Sequence, residues 1–184
     1  MKTKKINIYE FEELKDDIKE KVISRFREGN EYYFLEECLN EELEEELKNN
    51  GIEEIGETEL RYSLGYSQGD GLSFIGNFKY KNVEINIKLG QNSNYYSHSN
   101  TTDINRIEEY NDDENDYDIT EELKIIQEQE KDEIEEEFKE LYFDICRKLE
   151  KSGYAHIESE NSDESITENI KANNYNFREN GEIE

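Results

Sequence analysis

The chain has no proline and no tryptophan, only one methionine, two cysteines and two histidines, and its 22 basic residues face 49 acidic ones over 184 positions. Each scarcity excludes something. Two cysteines, Cys38 and Cys146, both inside apolar helical patterns, rule out a disulfide-stapled scaffold and read as buried thiols of a reducing compartment. With no paired spacing between them, and with His98 and His156 the only imidazoles, the ligands for a structural zinc are too few, and no cofactor or metal is expected. No apolar run reaches the ~20 residues of a membrane span. The start, Met-Lys-Thr-Lys-Lys-Ile-Asn-Ile, leads into polar and apolar alternation rather than a leader-peptide core, so a soluble cytoplasmic protein is expected. The shortage of base leaves a net charge of −27. Such a chain repels nucleic acid and anionic membranes and is drawn to basic protein surfaces.

The charge is unevenly spread. Residues 1–60 hold 19 acids against 9 bases, residues 61–102 hold 2 against 4, and residues 103–184 hold 28 against 9. The apolar residues, 33% of the chain, recur at regular spacings and include 13 Tyr and 8 Phe, which excludes wholesale disorder. At this length one domain, 1–184, is expected.

Within residues 1–58, Ile6 and Ile8 mark a short first strand. Phe11, Leu14, Ile18, Val22 and Phe26 then recur at helical steps up to Gly29, and a second helix runs from about Tyr32 to Lys48 with Leu35, Leu39, Leu43 and Leu47 in one row. From Glu59 the period falls to two. Leu60, Tyr62, Leu64 and Tyr66, then Phe74, Phe78 and Tyr80, then Val83, Ile85, Ile87 and Leu89 alternate with polar residues over 59–90. This reads as an antiparallel meander of three to four strands, with Lys81-Asn82 as a two-residue hairpin loop and Ser67 to Gly71 as a longer one. Residues 91–119 are expected to form a polar and acidic loop. A long acidic helix is expected over 120–151, capped by Thr120, with Leu123, Ile126, Ile134, Phe138, Leu141, Ile145 and Leu149 in a stripe; a homodimer through it is compatible with this pattern. Residues 152–184 carry a short helix, about Ser162 to Ala172, and an edge strand at Tyr175 to Phe177. The fold class is α+β, a two-layer arrangement of meander and amphipathic helices.

Three features invite a functional reading. The loop Ser67-Gln68-Gly69-Asp70-Gly71 leads into a strand, carries a carboxylate and has no neighbouring base, unlike a phosphate-binding loop. A hairpin explains its glycines by positive φ; an enzyme centred on Asp70 and His98 is the alternative, with no nucleophile at diagnostic spacing. Asn111 to Glu122 has oxygen ligands at loop positions 1, 3, 5 and 12 (Asn111, Asp113, Asn115 and Glu122) but Asp116 where a calcium loop needs glycine, which favours a solvated acidic loop. The third feature is the acidic helices. Glu36, Glu37, Glu41, Glu42, Glu44, Glu45 and Glu46 lie together with no base among them, and the long helix adds Glu133, Glu135, Glu136, Glu137 and Glu140, diluted by Lys131 and Lys139. Over ~18 Å of helix this approaches the charge density of a DNA duplex, as in a nucleic-acid mimic.

The segments "IYEFEELKDDIKEKVISRFRE", "RYSLGYSQGDGLSFIGNF", "NYYSHSN" and "ANNYNFRENGEI" together resemble a family of small acidic proteins encoded by bacteriophages and prophages, largely of unknown function, marked by a Ser-Gln-Gly-Asp-Gly hairpin followed by Ser-Phe. By this resemblance Gln68, Gly69, Asp70, Gly71, Ser73 and Phe74 form the central motif and His98 belongs to a second; no catalytic role comes with it. The resemblance implies a phage origin, and with the acidity it points to an anti-defence inhibitor, anti-CRISPR proteins included. The expectation is a non-enzymatic inhibitor whose acidic helix faces occupy a basic nucleic-acid-binding surface on a host protein such as a CRISPR effector, with no direct contact to nucleic acid or membrane. An antitoxin-like or regulatory phage protein with a basic partner is the alternative binder.

Overall fold

A computed structural model describes residues 7–90, 96–107 and 121–184, the side chains of 121–123 excepted. The expected cap Thr120, the side chain of Leu123, Ile6 of the first strand and the calcium-like stretch from Asn111 to Glu122 lie outside the described residues or side chains. The chain sorts into two compact units, one of residues 1–35 with 155–184 and one of residues 36–154.

The first unit holds β1 (Tyr9–Glu10), a 3-10 turn (Phe11–Glu13), α1 (Asp16–Glu28), α4 (Asp163–Ala172) and β7 (Asn176–Phe177). The apolar spacing from Phe11 to Phe26 predicts one helix. Phe11 and Leu14 instead precede it, on a turn whose Glu10 and Glu13 cap each other reciprocally, and α1 begins at Asp16 with acids in its first turn. Phe11, Leu14, Val22, Ile166, Ile170 and Phe177 form the core. β1 pairs antiparallel with β7, the edge strand expected at Tyr175 to Phe177. Ser162 caps α4 by accepting a hydrogen bond from the Ser165 N–H.

The second unit is built on β2 (Ile52–Glu54), β3 (Glu59–Ser63), β4 (Gly71–Tyr80), β5 (Val83–Leu89) and β6 (Thr102–Arg106), all antiparallel, with most of α2 (Leu35–Asn49) and of α3 (Glu121–Glu160). β4 and β5 turn at Lys81-Asn82, where Lys81 takes a φ of 55°. β2 and β3 lie along the same edge of β4 as one interrupted strand: Glu54 pairs with Phe78 and Glu59 with Ile75, so four residues bulge across from two. One sheet face carries Phe74, Phe78, Tyr80, Val83, Ile85 and Ile87, all buried. Against it α3 places Phe138 and Tyr142, with ring centroids 4.7 Å apart for Phe74 and Tyr142 and 5.9 Å for Tyr80 and Phe138. α2 runs antiparallel beside α3, fixed by Ser152 donating to Glu42 at 2.9 Å and by Lys148 to Glu46 at 2.8 Å. The class is therefore α+β, helices on the apolar face of an antiparallel sheet.

Three local departures from the sequence reading have physical causes. Alternation past Ser63 is not strand: Leu64 turns inward, and a Cβ at Gly153 would lie 2.4 Å from its Cδ1, so the missing side chain on α3 makes the room. For the same reason the long helix runs through Gly153 to Glu160 instead of stopping near Lys151, packing overriding propensity. At its other end Ile125 and Ile126 are exposed and burial begins at Ile134, so the apolar stripe does not face the core over its whole length. No helix among the described residues is long and apolar enough to cross a membrane.

Candidate functional site

The central motif is assembled by β3, β4 and the loop between them. That loop spans 64–70, because Ser63 pairs with Gly71. Its organising group is Asp70, 6% exposed. Oδ1 accepts hydrogen bonds from the hydroxyls of Ser67 at 2.8 Å and Ser63 at 3.2 Å, and Oδ2 accepts from the Ser67 N–H at 2.9 Å and the Tyr154 hydroxyl at 2.7 Å. The Tyr154 bond, then those from Ser67 and the Gly65 N–H, holds the carboxyl well below the usual carboxylate range, against the opposing effect of burial. Burial and the same bond push Tyr154 up to about 12. Asp70 thus ties the loop to α3 through neutral donors, and its lone pairs are spent inside the fold.

The glycines of the motif work differently from the expectation. Neither Gly69 nor Gly71 has a positive φ; in this loop that conformation falls on Tyr66, at 56°. Gly71 is glycine because His98 lies on it. A Cβ there would sit 2.4 Å from His98 Nδ1 and 2.9 Å from its Cα, and one at Gly69 would meet the Tyr96 ring at 3.5 Å. The two motif segments, "SQGDG" and the stretch containing His98, therefore pack on one another. Among the described residues no hydrogen bond joins Asp70 to His98, although the two flank Gly71. Gln68 is exposed, Phe74 is in the core, and Ser73 is fully buried with no partner for its hydroxyl among the described residues.

Comparison with family models, with curated proteins and with solved structures finds no match. The side chains themselves must carry the functional reading.

The acidic residues divide into two groups. Glu42 and Glu46 are half-buried and tied to Ser152 and Lys148, and Glu137 accepts from the Tyr80 hydroxyl at 2.8 Å and pairs with Lys81. Lys139 bridges Glu135 and Glu136. These bonds serve the fold. Glu36, Glu37, Glu41, Glu44 and Glu45 on α2, and Glu133 and Glu140 on α3, are exposed and form no salt bridge among the described residues. Glu37, Glu41, Glu44 and Glu45 follow steps of three and four and share one face, opposite the buried row of Leu39, Leu43 and Leu47. Nothing in the sequence distinguishes the two groups, because Glu42 and Glu46 read like their neighbours until α3 is placed beside them. Tyr154, Ser63 and Ser67 are partners of Asp70 that the sequence does not reveal; Tyr154 is 84 residues away. Among the described residues no group of three or more His, Cys, Asp or Glu could hold a metal.

Proposed function

We propose that this protein is a non-enzymatic inhibitor, of the anti-defence and anti-CRISPR kind implied by its phage resemblance, which lays the acidic face of α2 on a basic nucleic-acid-binding surface of a host protein. The observation that carries the reading is the stripe of Glu37, Glu41, Glu44 and Glu45, exposed and without ion-pair partners among the described residues. These four charges span about 12 Å of helix axis, on average about 4 Å apart, close to the ~3.4 Å spacing of phosphates along one DNA strand. The face is also rigid, since Leu39, Leu43 and Leu47 are buried behind it. A carboxylate stripe of this kind speeds encounter with a basic surface and is weakened by salt. Asp70, the strongest catalytic candidate, is saturated by internal donors, which favours a binder over an enzyme.

The test is capture of the tagged protein's partner from a bacterial lysate at low salt, with the wild type and with a variant carrying Glu37→Lys, Glu41→Lys, Glu44→Lys and Glu45→Lys. These positions leave the Glu42 and Glu46 bonds to α3 intact. A basic, nucleic-acid-handling protein retained by the wild type and lost with the variant supports the proposal; a partner indifferent to the reversal contradicts it.

A further inference from the structure

The link between α1 and α2 carries the two most exposed large apolar side chains among the described residues, Tyr33 at 77% and Phe34 at 68%. Singly exposed aromatics are ordinary, but two in succession on a fixed segment are a contact surface in waiting. The segment is fixed by Asn161. Its carbonyl accepts from Arg27 Nε at 2.9 Å, its side-chain oxygen accepts from the Asn30 amide at 3.3 Å, and its amide donates to the Tyr32 hydroxyl at 2.6 Å. The Tyr33 hydroxyl donates to Glu31, which orients that ring.

Beside the two rings lies a groove of about 290 Å³. Ile166, buried, and Phe26, half-buried, give it an apolar side; Tyr33 and Phe34 flank it; Glu31 and Glu160 supply two carboxylates, and no lysine or arginine among the described residues lines it. Its volume sits at the lower limit of small-molecule pockets, roughly 300–1,000 Å³, and suits one side chain. An arginine meets each of these features. Its aliphatic stem covers apolar atoms, its guanidinium stacks on aromatic faces, and its fan of N–H donors reaches carboxylates in a planar fork that lysine lacks.

We propose that this groove receives an arginine side chain from a basic protein partner. That the partner is a basic protein rests on the function proposed above; the arginine chemistry of the groove does not, since every residue that forms it lies in the first unit and none belongs to the α2 stripe. Tyrosine and arginine are the residues that most often dominate protein interfaces, so the groove would supply specificity where the stripe supplies attraction.

The full-length protein, titrated with acetyl-Gly-Gly-Arg-Gly-Gly-amide and followed by the NMR resonances of the Tyr33 and Phe34 rings and, in every variant, of the Ile166 methyl groups that line the groove, tests this. Saturable shifts are expected, at least tenfold weaker in apparent affinity with the citrulline or lysine counterpart, with the Tyr33→Ala/Phe34→Ala variant, and with Glu31→Gln/Glu160→Gln at low salt. Far-UV circular dichroism confirms that each variant is folded. No saturable shift with the arginine peptide, or equal shifts with the citrulline or lysine peptide, overturns the proposal. Ring shifts that appear on dilution of the protein alone assign the groove to a second copy and also overturn it. In the variant reversed at Glu37, Glu41, Glu44 and Glu45 the peptide shifts are expected unchanged, so failure of the lysate capture and failure of the groove are read separately.

Discussion

Replacing Gly71 with alanine tests why the central motif carries glycine, because it separates a close approach from a backbone conformation. An added Cβ would lie 2.4 Å from His98 Nδ1, 2.8 Å from Cγ and 2.9 Å from the His98 Cα, where ordinary packing begins near 3.4 Å. The ring can rotate away, but the backbone of His98 cannot without moving the chain. Overpacking of this kind costs about 1–3 kcal/mol. The gain from replacing glycine inside a strand, roughly 0.5–1 kcal/mol, offsets part of it. A net loss of about 1–2 kcal/mol lowers the thermal midpoint by about 2–8 °C for a protein of this size. Gly69→Ala is the control: its Cβ meets the Tyr96 ring at 3.5 Å, an ordinary distance, and its φ is not positive, so its effect stays within about 0.5 kcal/mol. Adding His98→Ala to Gly71→Ala removes the clash with the imidazole but leaves the one with the backbone of residue 98, and restores part of the loss. The assay is thermal unfolding followed by far-UV circular dichroism. Equal destabilisation by the two glycine substitutions, or a Gly71→Ala protein as stable as the wild type, would refute the reasoning.

The Asp70 cluster predicts a pH signature at both ends. Because its carboxyl is held down in the folded state, chiefly by the Tyr154 hydroxyl, the stability it adds is complete above the unfolded carboxyl value near ~3.9 and is lost as pH falls below it. Urea midpoints of the wild type and Asp70→Asn should differ most above about pH 5 and converge toward low pH; a constant gap would argue against the cluster. Tyr154 has the opposite sign, with stability present below its unfolded value of ~10 and lost as pH rises toward about 12, so Tyr154→Phe should remove that alkaline loss. Cys146 is buried and its thiol pushed up to about 12 by burial, whereas Cys38 is half-buried. A thiol reagent at about pH 8 should titrate one cysteine quickly in the native protein and both in denaturant, and two fast thiols would contradict the placement of Cys146.

Where apolar spacing reports burial directly, the fold was legible. Leu39, Leu43 and Leu47, and the period-two run through β4 and β5, point to the same core in the sequence and in three dimensions. β6 was not legible, because Thr102–Arg106 offers one aliphatic residue, Ile104, and pairs with only one neighbour. α3 continues past the expected end near Lys151 to Glu160, and what lets it accommodate Gly153, the socket for Leu64, is a packing partner that the helical spacing does not reveal. The candidate site shows the same limit. Asp70 could be singled out between its glycines, but the reason for Gly71 lies in His98, and the chief cause of the carboxylate's lowered pKa lies in Tyr154. Likewise, which glutamates are free for a partner depends on Lys148, Ser152, Tyr80 and Lys81, none of which a helical periodicity reveals.

The most direct test of the proposed function is competition on the partner recovered from lysate: its affinity for its own nucleic acid, measured at fixed moderate salt with increasing amounts of this protein. Nucleic acid is expected to be displaced, less effectively as ionic strength rises, and not at all by the protein reversed at Glu37, Glu41, Glu44 and Glu45. Simultaneous binding of protein and nucleic acid with unchanged affinities would contradict the proposed inhibition.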